Sequence, residues 1–204
     1  QIIAIDIILG GDNAIVIALA CKNLPEKQRK LGIFYGALGA IILRVIMVFF
    51  ATSLLMISGL KIIGGLLLLW IGVKLILDNG KDTSIKVSQE KNLFAAIRTI
   101  IVADFVMSLD NSVAIAAAAD GNMYLVIFGL LLSIPIIIWG SSIILKLIDK
   151  YPVIIYLGSG LLGWIAGDMI KTDIFTLSFL GFAESKEYLP LAGSFIVIIY
   201  SYLH

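Results

Sequence analysis

The sequence contains few charged residues. Asp, Glu, Lys and Arg make up 14% of its 204 residues, and hydrophobic residues make up 60%. A typical soluble domain has about 25% charged and about 45–50% apolar residues. Because a water-facing surface needs charged groups, this composition excludes an ordinary soluble protein and indicates an integral membrane protein. The net charge of +1 excludes a nucleic-acid-binding protein that works through a basic surface.

Cysteine and histidine are almost absent. The single cysteine, Cys21, excludes a disulfide framework, and the single histidine, His204, excludes a His-rich metal site. Residues 2–21 have neither a basic leader nor a small-residue cleavage pattern, so they are predicted to form a helix rather than a secretion signal. Because Gln1 is not a methionine and apolar residues follow it directly, we expect further residues upstream.

The chain has instead a series of long apolar stretches. They predict an all-α polytopic membrane protein with seven transmembrane helices, since a span takes roughly 20 apolar residues. The helices are expected at about residues 2–21, 31–57, 60–77, 96–119, 123–148, 153–170 and 188–203. Residues 22–30, 78–95 and 171–187 carry polar and charged groups and are predicted to be loops.

Basic residues are distributed unevenly between the two ends of these predicted helices. If the loop at 22–30 is cytoplasmic, ten Lys and Arg residues lie inside, and only Lys61, Lys171 and Lys186 lie outside. The ten inner residues are Lys22, Lys27, Arg29, Lys30, Lys81, Lys86, Lys91, Arg98, Lys146 and Lys150. Because cytoplasmic loops carry an excess of Lys and Arg, we predict an outer N-terminus and an inner C-terminus.

One motif occurs twice in the chain. Residues 6–18 read DIILGGDNAIVIA and residues 104–116 read DFVMSLDNSVAIA, and a weaker echo relates residues 64–72 to residues 158–166. The chain is therefore predicted to contain two three-helix repeats, a linker and a further helix. The first repeat is expected at 1–77, a cytoplasmic linker loop at 78–95, the second repeat at 96–170, and an external loop with the seventh helix at 171–204.

Two repeats with an odd number of helices must be inverted relative to each other. Inverted repeats are typical of secondary transporters, whose substrate site lies near the middle of the membrane between the repeats. The Asp-Asn pairs at 12–13 and 110–111 lie near the middle of their helices. The sequence therefore predicts that the two pairs meet at a common site.

Four carboxylates fall within predicted spans, and each costs at least about 2.5–3.5 kcal/mol at the centre of a membrane helix. They are Asp6, Asp12, Asp104 and Asp110. They are expected to face a shared cation, protons or an arginine. Seven residues turn a helix by about 700°, so Asp6 and Asn13 share one helix face, as do Asp104 and Asn111.

Glycines precede the first Asp-Asn pair. In a regular helix Asp12 is turned about 120° away from Asp6. Gly10 and Gly11 are predicted to let the helix unwind locally, which would turn Asp12 and backbone carbonyls toward the site. Close helix packing is the alternative role for these glycines. The second copy has Ser108 and Leu109 instead, which gives unwinding less support there.

The types of these side chains restrict the ligand. Carboxylate and amide oxygens without Cys or His suit Mg²⁺, Ca²⁺ or Mn²⁺ and argue against Cu⁺ or Zn²⁺. The predicted direct metal ligands are Asp12, Asn13, Asp110 and Asn111. Asp6 and Asp104 are predicted to be outer ligands or proton acceptors. The alternative is that the Asp-Asn pairs are polar contacts that fix the register between helices.

Arg44 lies inside the second predicted span, about 20 Å from its start at 1.5 Å per residue. It is predicted to be a fixed counter-ion for Asp6 or Asp104. The alternative is a moving part that competes with the metal and so gates its binding.

The paired motifs GGDNAIVIA and SLDNSVAIA resemble the TerC family of integral membrane proteins, in particular its bacterial YjbE-type members. That family groups with the LysE-type transporter superfamily. The resemblance covers nearly the whole chain. It implies seven helices in two inverted repeats, export of Mn²⁺ across the bacterial cytoplasmic membrane and, for some members, supply of metal to secreted enzymes.

The leading hypothesis is therefore a divalent-cation exporter that works by alternating access. A non-transporting scaffold or metallochaperone for the secretion machinery is the alternative. An intramembrane aspartyl protease is disfavoured, because the chain lacks the YD, GxGD and PAL motifs of those enzymes. We expect no enzymatic activity, no organic cofactor and no nucleic-acid partner. The expected partners are a divalent metal ion and the lipid bilayer, and the sequence leaves open a homodimer and a secretion-machinery partner.

Overall fold

The computed structural model describes residues 2, 6, 11–80, 89–120, 122–180 and 187–203, and within them the regular structure is helical. Ile2 and Asp6 are helical and precede the first continuous helix. The helices in the described residues are α1 Gly11–Cys21, α2 Glu26–Leu55, α3 Leu60–Gly80, α4 Gln89–Ala118, α5 Met123–Lys150, α6 Val153–Thr172, α7 Ile174–Leu180 and α8 Leu189–Leu203.

Among the residues that the structure describes, five helices are long and apolar enough to cross a membrane. These segments lie in α2 to α6, at Glu26–Ala51, Leu60–Asp78, Leu93–Ala118, Met123–Lys150 and Val153–Thr172. Gly11–Cys21 and Leu189–Tyr200 are shorter apolar helices. The chain is therefore an all-α polytopic membrane protein. Five of the seven predicted spans are confirmed, and the first and seventh correspond to the two shorter helices.

The prediction of a loop through residue 30 is wrong, because α2 begins at Glu26. Pro25 immediately precedes this helix, and its carbonyl accepts hydrogen bonds from the N–H groups of Gln28 and Arg29 at 2.8 and 3.0 Å. A proline fits the start of a helix, where its missing N–H is not needed. Charged residues are also compatible with a helix end that extends beyond the apolar part of the bilayer.

The predicted loop at 78–95 is shorter than expected. Helix α3 continues to Gly80 and α4 begins at Gln89, so the prediction is wrong at both ends, and residues 81–88 lie outside the described residues. The polar residues that suggested a loop include Gln, Glu and Lys, which favour helix formation nearly as well as Leu does. Polarity here marks the end of the apolar span rather than the end of the helix.

The predicted external loop at 171–187 is wrong in its first part. Helix α6 continues to Thr172, and a further short helix, α7, occupies Ile174–Leu180. Residues 181–186 lie outside the described residues. The residue between the two helices is Asp173, whose side chain is buried.

Asp173 caps the N-termini of two helices of this region. Its Oδ1 accepts the N–H of Phe175 in the first turn of α7 at 2.7 Å. The N–H of Gly59 donates to both carboxylate oxygens at 3.0 Å, and the N–H of Lys61 donates to Oδ2 at 3.1 Å. A side-chain oxygen that accepts such N–H groups stabilises a helix start by about 1 kcal/mol. Gly59 has a φ of 85°, a conformation that glycine adopts without strain.

The helices form two compact units. The first unit contains residues 1–51 and 83–152, and the second unit contains residues 52–82 and 153–204. The first unit thus holds α1, α4, α5 and most of α2, and the second holds α3, α6, α7 and α8. Each unit takes helices from both predicted repeats. The units describe packing, whereas the division into repeats describes sequence similarity and stays a prediction.

Apolar side chains of α2, α4 and α5, together with Ile2 before α1, form a hydrophobic cluster in the core of the first unit. The buried members of this cluster are Ile2, Ile41, Val48, Ile115, Ala119, Val126 and Leu130. Helix α1 packs against α4 and α5. This packing brings the first copy of the Asp-Asn motif, on α1, close to the helix that carries the second copy.

Close helix contacts at glycines hold the second unit together. Helix α6 packs against α3 and α8. A Cβ atom added to Gly163 of α6 would lie 2.4 Å from the carbonyl oxygen of Gly193 in α8. A Cβ atom added to Gly65 of α3 would lie 2.6 Å from the carbonyl oxygen of Ala166. Small residues allow membrane helices to approach this closely.

We expect Gly163→Ala to lower the free energy of unfolding by about 1–3 kcal/mol, because the added methyl group would overlap the backbone of α8. Gly140→Ala is the matched control, since a Cβ atom at Gly140 would have only the Cβ of Ala14 near it, at 3.9 Å. That control should be neutral, or more stable by up to about 1 kcal/mol. Unfolding in detergent micelles measures both variants, and equal stabilities would contradict the packing described.

Candidate functional site

Arg44 of α2 is the centre of a buried polar cluster. The side chain is 2% exposed. Its Nη1 donates to Oδ1 of Asp6 and its Nη2 donates to Oδ1 of Asp104, while its Nε donates to Oγ of Ser108 at 3.1 Å. We call these four residues the Arg44 cluster. The sequence predicted a counter-ion for one of the two acids, and in the structure Arg44 contacts both.

The second helix of the cluster, α4, supplies an acid and a hydroxyl on one face. Asp104 and Ser108 are four residues apart, so they lie one above the other on the helix surface. The Ser108 hydroxyl donates to Oδ2 of Asp104 at 3.2 Å and accepts from Arg44. Ser108 therefore fixes the position of the Asp104 carboxylate relative to the Arg44 guanidinium.

The charges of the Arg44 cluster do not cancel. One guanidinium faces two carboxylates, which leaves one net negative charge when both acids are ionised. Oδ2 of Asp6 has no hydrogen-bond partner among the described residues. Uncompensated charge and unsatisfied oxygens are costly in an apolar interior. The cluster therefore favours a further positive charge or donor nearby.

A small cavity adjoins the cluster. It is lined by Asn13, Val16 and Ile17 of α1 and by Ile100 and Asp104 of α4. Its volume is about 10 Å³, which is the space of roughly one water molecule. The Asn13 side chain is buried, and neither its Oδ1 nor its Nδ2 has a partner among the described residues. The cavity thus joins an unsatisfied amide to a carboxylate of the Arg44 cluster.

The other predicted ligands lie outside this cavity. Asp12 is half-buried in the first turn of α1, and its Oδ1 accepts the N–H of Asn13 at 2.9 Å. Asp110 is exposed and Asn111 is half-buried on α4. Gly11 is the first residue of α1, and Gly10 of the predicted helix break lies outside the described residues.

The structure therefore brings together Asp6, Arg44, Asp104 and Asn13, whereas Asp110 and Asn111 do not line the cavity. Across the described ranges, no three His, Cys, Asp or Glu side chains lie close enough to hold a metal ion. In this state two of the buried acids are instead bound to an arginine.

Sequence reasoning missed Ser108. Its position corresponds to Gly10 in the first copy of the motif, and a glycine there indicates backbone flexibility rather than a hydroxyl contact. The available signal was its spacing of four residues from Asp104, which puts both side chains on one helix face. Ser112 continues this face, and its hydroxyl donates to the Ser108 carbonyl.

We expect Ser108→Ala to lower the free energy of unfolding by about 1–3 kcal/mol, because it leaves charged partners with one fewer hydrogen bond. Ser141→Ala is the matched control. Ser141 is equally buried, but its hydroxyl donates at 2.7 Å to the Ile137 carbonyl of its own helix, and its loss should cost less. Chemical unfolding in micelles compares the two variants, and equal losses would argue against a special role for Ser108.

Comparison with known proteins gives consistent matches. The model of the integral membrane protein TerC family matches residues 1–203. Membrane protein YjbE of Bacillus subtilis is 46% identical over 172 residues, which cover 84% of this chain and 78% of YjbE. Membrane protein YceF of the same organism is 30% identical over 207 residues, which cover 98% of this chain and 76% of YceF.

A more distant relative is the inner membrane protein YgdQ of Escherichia coli, which is 22% identical over 165 residues, covering 72% of this chain and 69% of YgdQ. No solved structure matches the chain. The names of these relatives agree with the apolar helices of the structure, and the family match includes both Asp-Asn motifs. This chain belongs to the TerC family of integral membrane proteins.

Proposed function

We propose that this TerC family protein exports a divalent metal cation, with Mn²⁺ as the favoured substrate, across the bacterial cytoplasmic membrane. The observation that carries the proposal is the unpartnered side chain of Asn13 on a cavity that Asp104 also lines. A buried polar group without a partner costs about 1–3 kcal/mol. A cation that bound the Asn13 oxygen and the Asp104 carboxylate would remove this cost.

The size and chemistry of the cavity suit a hard cation. Its volume of about 10 Å³ accommodates one dehydrated metal ion, which is smaller than a water molecule. Oxygen ligands suit Mn²⁺, Mg²⁺ and Ca²⁺ alike. The choice of Mn²⁺ over the other two rests on the resemblance to the TerC family.

The six predicted ligands are assigned to successive positions of the metal. Asn13 and Asp104 form the buried position, Asp12 precedes Asn13 in the first turn of α1, and Asp6 is held by Arg44. Asp110 and Asn111 lie six and seven residues beyond Asp104 along α4, or about 9–10.5 Å at 1.5 Å per residue. We assign Asp110 and Asn111 to a second metal position. The cation would reach this position when the site changes its access from one side of the membrane to the other.

The proposed orientation has the N-terminus outside and the C-terminus inside. It is supported by a cluster at one end of the first unit. Arg29 donates to Asp149 and to the backbone oxygens of Lys22 and Leu24, at 2.7, 2.7 and 3.0 Å. These contacts gather the end of α1, the start of α2 and the end of α5, where basic residues are frequent. Burial lowers the pKa of the Lys22 ammonium, and the Asp149 carboxylate opposes this shift.

Flux through the purified protein tests the proposal. Reconstituted in liposomes without any partner, the wild type should move Mn²⁺ down its gradient. Asp12→Asn and Asn13→Leu should each lower this flux by about tenfold or more at nearly constant side-chain volume. The first removes the negative charge and one oxygen of a carboxylate, and the second removes the amide oxygen. Glu26→Gln is the matched control, since Glu26 is an exposed acid in the first turn of α2, and it should transport as the wild type does.

Two outcomes would contradict the proposal. One is the absence of Mn²⁺ flux through folded wild-type protein, and the other is normal flux in both Asp12→Asn and Asn13→Leu. Mn²⁺ binding without flux would favour the scaffold or metallochaperone hypothesis, in which the same site delivers metal to the secretion machinery.

A further inference from the structure

We propose that Arg44 takes the place of the substrate cation when the site is empty, and that the metal displaces it from Asp104 while it remains bound to Asp6. This inference rests on the proposed function, because it concerns the return of the empty carrier. Arg44 would thus be a positioning residue that competes with the metal.

Arg44 and the metal compete for one carboxylate. Asp104 is the one residue among those described that both accepts a hydrogen bond from Arg44 and lines the cavity beside Asn13. A metal ion on Asp104 would lie near the guanidinium, and two positive charges at such a distance repel each other strongly in an apolar interior. Metal binding and the Arg44–Asp104 contact therefore oppose each other.

The surroundings of Arg44 provide a second resting place for it. Asp6 is 1% exposed, binds Nη1 of Arg44 through Oδ1, and has Oδ2 without a partner among the described residues. When the metal binds Asp104, Arg44 can remain paired with Asp6 and donate hydrogen bonds to both carboxylate oxygens of Asp6. The Ser108 hydroxyl accepts a hydrogen bond from Arg44 and donates one to Asp104. It can therefore remain hydrogen-bonded whether Arg44 contacts both acids or Asp6 alone.

The permanent charge of arginine makes this exchange useful for transport. A guanidinium stays protonated at all relevant pH values, so Arg44 neutralises a buried acid without taking up a proton. An empty carrier with two unpaired buried carboxylates would face a large barrier in the bilayer. When Arg44 is paired with both acids, the empty carrier can return to the state that is open to the cytoplasm. Export can then continue without a metal ion bound during this return step.

The test compares two kinds of flux in the same liposomes. Net efflux into metal-free buffer requires the empty carrier to return, whereas exchange of radiolabelled for unlabelled Mn²⁺ does not. In Arg44→Gln we expect net efflux to fall by about tenfold or more relative to exchange, because the uncompensated acids slow the return step. Arg44→Lys retains the positive charge and should restore part of the ratio of net efflux to exchange.

A double variant distinguishes a slower return step from misfolding. Arg44→Gln combined with Asp6→Asn removes one charge of each sign, which keeps the net charge of the cluster and should preserve the fold. Asp104 still lacks its cation in this double variant, so the ratio of net efflux to exchange should stay low. A wild-type ratio in the double variant, or an equal fall of both fluxes in every Arg44 variant, would overturn the proposal.

Equilibrium binding separates this inference from the proposed function. Loss of an internal competitor should tighten Mn²⁺ binding in Arg44→Gln by about tenfold, measured by electron paramagnetic resonance of the purified protein. Unchanged or weaker binding would overturn the competition. If the wild type binds Mn²⁺ and shows neither flux, the proposed export is wrong, whereas tighter binding in Arg44→Gln would still support competition at Asp104.

Discussion

A single arginine held between two buried acids constrains the first unit of this protein. Arg44 of α2 contacts Asp6, which precedes α1, and Asp104 of α4. Each charge alone would be costly in an apolar interior, and removal of Arg44 would leave both acids uncompensated. The two segments and α2 must therefore keep their relative positions for the charges to remain paired. The position of Asn13 beside Asp104 follows from the same arrangement.

Much of the site could be predicted because helical periodicity depends on sequence alone. The spacing of Asp6 and Asn13 placed them on one face, and both are buried in the structure. The depth of Arg44 in its span indicated a role as a counter-ion. The sequence could not indicate that Arg44 contacts both acids, or that Asp110 stays outside the cavity, because these facts depend on how α1, α2 and α4 pack.

The spans themselves were predictable, whereas their ends were not. Apolar stretches located α2 to α6, because burial in lipid demands about 20 apolar residues. The start of α2 at Glu26 and the helix α7 depend on capping and on the helical preference of polar residues. Asp173 caps two helices, and the Gly59 and Lys61 N–H groups that it accepts are distant from it in the sequence. A local sequence pattern cannot indicate such a contact. Likewise, the two compact units combine helices that are distant in the chain.

The helices of each unit are packed by different means. The second unit depends on glycines that bring α6 against α8 and α3, whereas the first unit contains all the predicted ligands and the buried Arg44 cluster. This assigns cation chemistry to the first unit. Anomalous diffraction at the manganese edge, from crystals grown with Mn²⁺, tests that claim most directly. We expect one peak within about 2–2.6 Å of oxygens of both Asn13 and Asp104. A peak that lies away from both residues, or no peak at saturating Mn²⁺, would contradict the account.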